Sequence, residues 1–269
     1  MGVELSLRVD INTLIASVFA SAAMASAHAA AVSAPAPPSV VAGTMRPAAE
    51  GLHPPGVKGL HLAGTGSGFF IGPDRVLTNF HVAGSCKALT VGNNREGQEA
   101  DAELVVGEAG VDLAVLSTTG AGETSALFDT DASMETGAHL AIVGYPAFGR
   151  PVLDAQLEQA SVMDSDAAGD RRFYSFIGAV RGGNSGGPAL DENGAVVGVV
   201  TAKINTPAMY RKTGILIKDI GFAIPNSTVF DFLRRNSIAF EQNKRAANLA
   251  PAQILQMAHG FVRQIGCWK

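Results

Sequence analysis

Arg181-Gly182-Gly183-Asn184-Ser185-Gly186-Gly187-Pro188, followed by Ala189-Leu190, the polar Asp191-Glu192-Asn193-Gly194 and the apolar run Ala195 to Thr201, is the stretch on which the fold turns. Glycines on both sides of Ser185 let the backbone bend sharply and expose the hydroxyl. The residues after the serine decide between two architectures. A serine on a strand-to-helix elbow needs a helix directly after it. Here a proline, a turn and a strand-length apolar run come next instead, which is a β-hairpin.

The same pattern continues upstream and downstream. Phe69-Phe70-Ile71, Val76-Leu77, Ala88 to Val91, Glu103 to Val106, Leu113 to Leu116, Ala138 to Val143, Phe173 to Phe176 and Gly221 to Ile224 are short strand-length runs. Turn chemistry at Gly72-Pro73-Asp74 and Gly92-Asn93-Asn94 separates some of them. No helical periodicity lies between, so the class is all-β, a barrel or sandwich rather than crossover βαβ units. Helical pattern enters only late. Asn226 or Ser227 caps a helix to about Arg235, and Pro251 opens a second that runs to His259 before Gly260.

Composition agrees. The chain has 269 residues, 31 glycines and 6% aromatics, with a net charge of −4. Abundant glycine suits many tight turns, and the weak acidic charge gives no electrostatic footprint for nucleic acid. The two cysteines and six histidines are scattered, without metal-site spacing.

Three segments carry chemistry. The glycine-flanked serine leaves the N–H groups of Gly183 and Ser185 available to point at one spot, as an oxyanion hole requires. Thr78-Asn79-Phe80-His81-Val82 puts an imidazole at the end of a strand, and Val111-Asp112-Leu113-Ala114-Val115 puts a carboxylate at the head of one. Histidine, aspartate and serine in this order are the components of a triad, with His81 as general base, Asp112 as the orienting carboxylate and Ser185 as nucleophile. Asp101, in the polar stretch Gly97 to Asp101, is the alternative carboxylate and reads as a solvated loop residue. His53, His61, His139 and His259 read as surface or structural residues. The rival is an α/β-hydrolase esterase using Ser185 with the later Asp231 and His259, which the hairpin after the serine opposes. A catalytically silent binding module on the same fold is the other alternative.

Gly66-Ser67-Gly68-Phe69, Thr78 to Val82, Val111 to Leu116, the serine segment and Gly221-Phe222-Ala223-Ile224-Pro225 together resemble the trypsin-like peptidases of the HtrA/Deg type, from about Gly64 to Phe232. The resemblance implies two perpendicular six-stranded barrels with the site between them. His81 and Asp112 would come from the first and Ser185 from the second. It implies peptide-bond hydrolysis on polypeptide substrates, with no cofactor and no metal. It places Ala179, six residues before the nucleophile, at the base of the specificity pocket. Val200, Thr201, Ala202, Gly221, Phe222 and Ala223 are its expected walls, so cleavage after small or medium apolar residues is expected. Typical members continue into PDZ domains, and no such module fits after Pro225.

Ile11 to Ala27 is uncharged and apolar and ends in Ala27-His28-Ala29, an export signal pattern over residues 1–29. The protein is therefore expected in the periplasm or outside the cell, touching a membrane only if that segment stays uncleaved. Residues 30–57, with six of the thirteen prolines, read as a disordered tether. The protease domain is expected over 58–240, with barrel 1 at about 58–130 and barrel 2 at about 131–225, and residues 241–269 as a C-terminal helical extension. In an oxidising compartment the only two cysteines, Cys86 and Cys267, are expected to form a disulfide.

Overall fold

A computed structural model describes residues 54–93, 98–119, 122, 124–130, 134–147, 154–165, 172–203, 219–242 and 248–269. The expected export signal and the proline-rich tether up to His53 lie outside them.

The strands close into two six-stranded antiparallel barrels. The first contains β1 (Leu62–Gly72), β2 (Arg75–Thr78), β3 (Ala88–Asn93), β4 (Gln98–Glu108), β5 (Leu113–Thr118) and β12 (Val262–Trp268), in the order β1-β12-β3-β4-β5-β2. The second contains β6 (His139–Gly144), β7 (Gln156–Asp164), β8 (Tyr174–Ile177), β9 (Pro188–Leu190), β10 (Val196–Lys203) and β11 (Ile220–Pro225), in the order β10-β11-β8-β7-β6-β9. Closure removes unpaired strand edges, and each strand turns one face inward. Leu140, Ile142, Val162, Tyr174, Phe176 and Val197 fill the second barrel. Among the described residues three α-helices accompany the barrels: α1 (Phe80–Ala83), α2 (Asn226–Arg235) and α3 (Pro251–Ala258).

The aromatics are few but concentrated. Phe128, on the segment between the barrels, meets Phe69 of β1 at 6.0 Å between ring centroids, and Phe230 of α2 and Phe240 at 5.6 Å each. Phe230 and Phe240 stack at 5.0 Å. This cluster docks α2 against the connection and the first barrel, with edge and stacked contacts each contributing about 1 kcal/mol beyond area burial.

The expected helices over Asn226–Arg235 and from Pro251 are present, but Pro225 takes the N-cap position and the Asn226 side chain donates to Val196 O instead, and the chain beyond Gly260 goes further than a helical extension. Val262 to Trp268 inserts between β1 and β3 as the sixth strand of the first barrel, with Phe69 opposite Val262 and Thr90 opposite Gly266. Its physical reason is the burial pattern. Val262, Ile265, Cys267 and Trp268 are all buried, and Trp268 Nε1 donates to Thr90 Oγ1 at 3.0 Å. A strand left out here would open the barrel on two edges. Cys86 and Cys267 are disulfide-bonded, with their Cα atoms 5.3 Å apart.

Candidate active site

His81 sits in α1, the short turn of helix that β2 runs into, so its imidazole stands at the rim of the first barrel. Its ring Nδ1 lies 2.8 Å from Asp112 Oδ2 and 3.1 Å from Oδ1, while its backbone N–H donates to Asp112 Oδ1 at 2.9 Å. The aspartate thus holds both the helix start and the ring. Asp112 takes a left-handed conformation, φ 55°, immediately before β5. That region costs a non-glycine residue free energy, and Asn79 Nδ2 stabilises it by donating to the Asp112 carbonyl at 2.9 Å. The Asp112 side chain is 16% exposed and that of His81 50% exposed, so the ring faces the cleft and the carboxylate lies behind it.

Ser185 occupies the turn between Ile177 and β9. Gly183 (φ 95°) and Gly186 (φ 85°) both require the left-handed region. A side chain at Gly186 would collide with the Ser67 carbonyl and the Thr78 hydroxyl, so β1 and β2 pack directly on this turn. Among the described residues the amides of Gly183 and Ser185 donate to no protein acceptor. Gly182 O accepts from Ala147 N–H at 2.6 Å. In a trans peptide the next N–H points opposite to the carbonyl, so the Gly183 N–H is turned away from Ala147.

Thr201 joins the two halves. Its hydroxyl donates to Asp112 Oδ2 at 2.5 Å, and its carbonyl accepts from Ser185 Oγ at 3.1 Å. Among the described residues, Ser185 Oγ makes no hydrogen bond to His81. Thr201 is expected from the sequence in the wall of the specificity pocket, yet its hydroxyl is committed to Asp112. A β-bulge between Val200 and Ala202 in the pairing of β10 with β11 breaks the alternation there.

The other expected wall residues lie on paired strands, with Val200 opposite Ala223 and Ala202 opposite Phe222. Val200 and Ala223 are fully buried in the second barrel's core. Gly221 and Phe222 are buried on β11, and a side chain at Gly221 would strike the Phe176 ring. Ala202 pairs with Phe222, and its side chain lies outside the described residues. Ala179 lines a small cavity of about 40 Å³ with Pro146, Gln156, Leu157, Glu158, Arg181 and Asn184, a more polar neighbourhood than expected. Asp101 stands on β4, where its carboxylate accepts from Gly56 N–H, apart from His81. Asp231 is exposed on α2 and His259 ends α3. What the sequence did not signal was the contact of Thr201 with Asp112 and that of Asn79 with the Asp112 carbonyl, since neither residue has a motif of its own.

The profile of the trypsin-like peptidase domain family matches residues 66–199. The uncharacterized protein y4bJ of Sinorhizobium fredii is 29% identical over 75% of this chain and 32% of its own length. The serine protease Rv3671c of Mycobacterium tuberculosis is 34% identical over 50% of this chain and 35% of its own. A probable periplasmic serine endoprotease, DegP-like, of Brucella suis is 34% identical over 61% of this chain and 31% of its own. The chain spans about a third of the length of these curated relatives. The solved active form of the Rv3671c protease superposes with a TM-score of 0.51 at 28% identity, over 68% of this chain and 78% of that one. The inactive form superposes at 0.50 and 29% identity, over 63% and 82%.

Proposed function

Because the chain belongs to the trypsin-like serine peptidases, we propose that it acts as a serine endopeptidase with Ser185 as nucleophile, His81 as general base and Asp112 as the residue that orients the base. The observation that carries this reading is the pair of contacts made by His81 Nδ1 and Thr201 Oγ1 to the Asp112 carboxylate, with Ser185 hydrogen-bonded to the same Thr201. A carboxylate on Nδ1 fixes the tautomer that leaves Nε2 free to take a proton. The Ser185 hydroxyl, resting on the Thr201 carbonyl, turns about its χ1 to reach the imidazole when substrate enters, since hydrogen bonds of this kind tighten in the Michaelis complex.

In the reaction so proposed, Ser185 Oγ attacks the scissile carbonyl as His81 removes its proton, and the peptide N–H groups of Gly183 and Ser185 receive the oxyanion. His81 then protonates the leaving amine, and a water activated by the same ring hydrolyses the acyl-enzyme. Each oxyanion donor is worth roughly 3–4 kcal/mol of transition-state stabilisation. Substrates are polypeptides of exported proteins, cut after small or medium apolar residues. A disulfide in the first barrel and a relative named as periplasmic support an oxidising, exported location.

The test is labelling by a fluorophosphonate together with a peptide-library cleavage profile, each run beside Ser185→Ala. Labelling and cleavage by the native chain alone are expected. A native protein that takes up no probe and cuts no peptide would instead be a binding module on the protease fold.

A further inference from the structure

Resting on the triad reading, we propose that Ser67 is a positioning residue that locks the oxyanion loop from the opposite barrel. Ser67 lies on β1, is fully buried and carries none of the chemistry assigned above. Its hydroxyl donates to Gly183 O at 2.6 Å and accepts from Tyr145 N–H at 2.8 Å. Its own N–H donates to Ser185 O at 2.8 Å, and its carbonyl accepts from Thr78 Oγ1 at 2.7 Å. Because the Tyr145 amide occupies one lone pair of the hydroxyl, the hydroxyl proton is directed at Gly183.

Gly183 is where this matters. As a glycine at φ 95° it has no side chain to resist rotation, and the direction of its N–H is set only by the contacts that hold the peptide planes on either side. The plane before it is held by Ala147 N–H on Gly182 O, and the plane after it by Ser67 Oγ on Gly183 O at 2.6 Å together with a longer bond from Asn184 N–H to Arg181 O at 3.2 Å. With both fixed, the Gly183 amide cannot turn out of the position the oxyanion needs. The surrounding sequence keeps room for this one hydroxyl. A Cβ at Gly144 would stand 2.7 Å from Ser67 Oγ, and one at Gly187 would stand 3.2 Å from Ser67 Cβ.

Ser67 acts through Gly183, so its loss affects transition-state stabilisation while leaving substrate contacts and the His81–Asp112 pair in place. The test compares native protein, Ser67→Ala and Ser185→Ala on a fluorogenic peptide with Ala or Val before the scissile bond. A peptide aldehyde of the same sequence, whose hemiacetal oxygen occupies the oxyanion position, serves as inhibitor. For Ser67→Ala, kcat is expected to fall about tenfold to a hundredfold with KM held within about twofold. Aldehyde inhibition should weaken by the same factor as kcat/KM, and the pH midpoint of kcat/KM should not move. A kcat within about twofold of native, or a loss of kcat without loss of aldehyde affinity, overturns the lock. If Ser67→Ala does not fold by circular dichroism, Gly144→Ala takes its place, since the added methyl displaces the hydroxyl without removing it. The same kinetic pattern there supports the lock, and native kinetics overturn it. A native protein that hydrolyses nothing sinks the triad reading and the lock with it, whereas an active native protein with an unaffected Ser67→Ala sinks the lock alone.

Discussion

Cys86 and Cys267 are joined across 181 positions, which fastens the last strand of the first barrel to the segment five residues beyond His81. The bridge closes a loop that contains the whole second barrel and four of the six strands of the first, so its effect falls mainly on the unfolded chain. The entropy of so long a loop sets a ceiling of about 5 kcal/mol, and measured values usually lie below it. Replacing both cysteines by serine is expected to lower the urea midpoint clearly, and reductant should shift the native protein to the same midpoint. An identical midpoint with and without reductant would show that β12 is held by its ladder alone.

Asp112 Oδ2 receives both His81 Nδ1 and the Thr201 hydroxyl, and the two contacts can be separated by substitution. Asp112→Asn keeps the shape but presents an amide to Nδ1, favouring the wrong tautomer, and should reduce kcat by about four orders of magnitude. Thr201→Val removes one charge-assisted hydrogen bond of about 1.5–3 kcal/mol, and about tenfold in kcat is the expected loss. Steady-state kinetics on one peptide series decides both. If Asp112→Asn retains most activity, the orienting role does not belong to Asp112.

Much of this arrangement is legible in the chain and some is not, for physical reasons. The strands with strong apolar runs, such as Leu113 to Leu116, announce themselves because both flanks are turns. β7 does not, because Gln156-Leu157-Glu158-Gln159 is half-exposed and reads as polar loop. β12 hides because its partners β1 and β3 lie about 170 to 200 residues upstream, and local pattern carries no information on so distant a pairing. His81, Asp112 and Ser185 stand in motifs from which the triad is proposed. Thr201 is misread because a bulge, which leaves no mark in the sequence, turns it toward Asp112 instead of along the strand's expected face.

No activating cleavage should be needed. In digestive trypsin-like enzymes an aspartate before the serine pairs with a freed N-terminal amine. That position is Asn184 here, 3% exposed and neutral, with its Oδ1 accepting from Arg181 N–H at 3.2 Å. Mass spectrometry of the active species, set against its rate, should show activity independent of any single new N-terminus. Activity that arises only with one defined cut would contradict this.

Cleavage is expected after alanine, valine or residues of similar size. The residue at the base of the proposed pocket, Ala179, is small and uncharged, and Thr201, the polar member of the expected wall, has its hydroxyl engaged by Asp112. Arg181 and Glu158 share the cavity beside Ala179, carrying opposite charges, so their fields oppose one another and neither sign of substrate side chain is favoured. A charged side chain entering such a site meets a charge of its own sign beside one of the opposite sign, so its desolvation, several kcal/mol, is only partly offset. Installing a carboxylate reverses that balance. Ala179→Asp should lower turnover on peptides with alanine or valine before the scissile bond and raise it on those with arginine or lysine, because a second carboxylate tips the local charge to negative. A library profile of the native protein and this variant checks both halves. Selection for arginine, lysine or glutamate by the native protein would place the determinant elsewhere than Ala179. A variant whose profile matches the native one would show that residue 179 does not contact the substrate side chain.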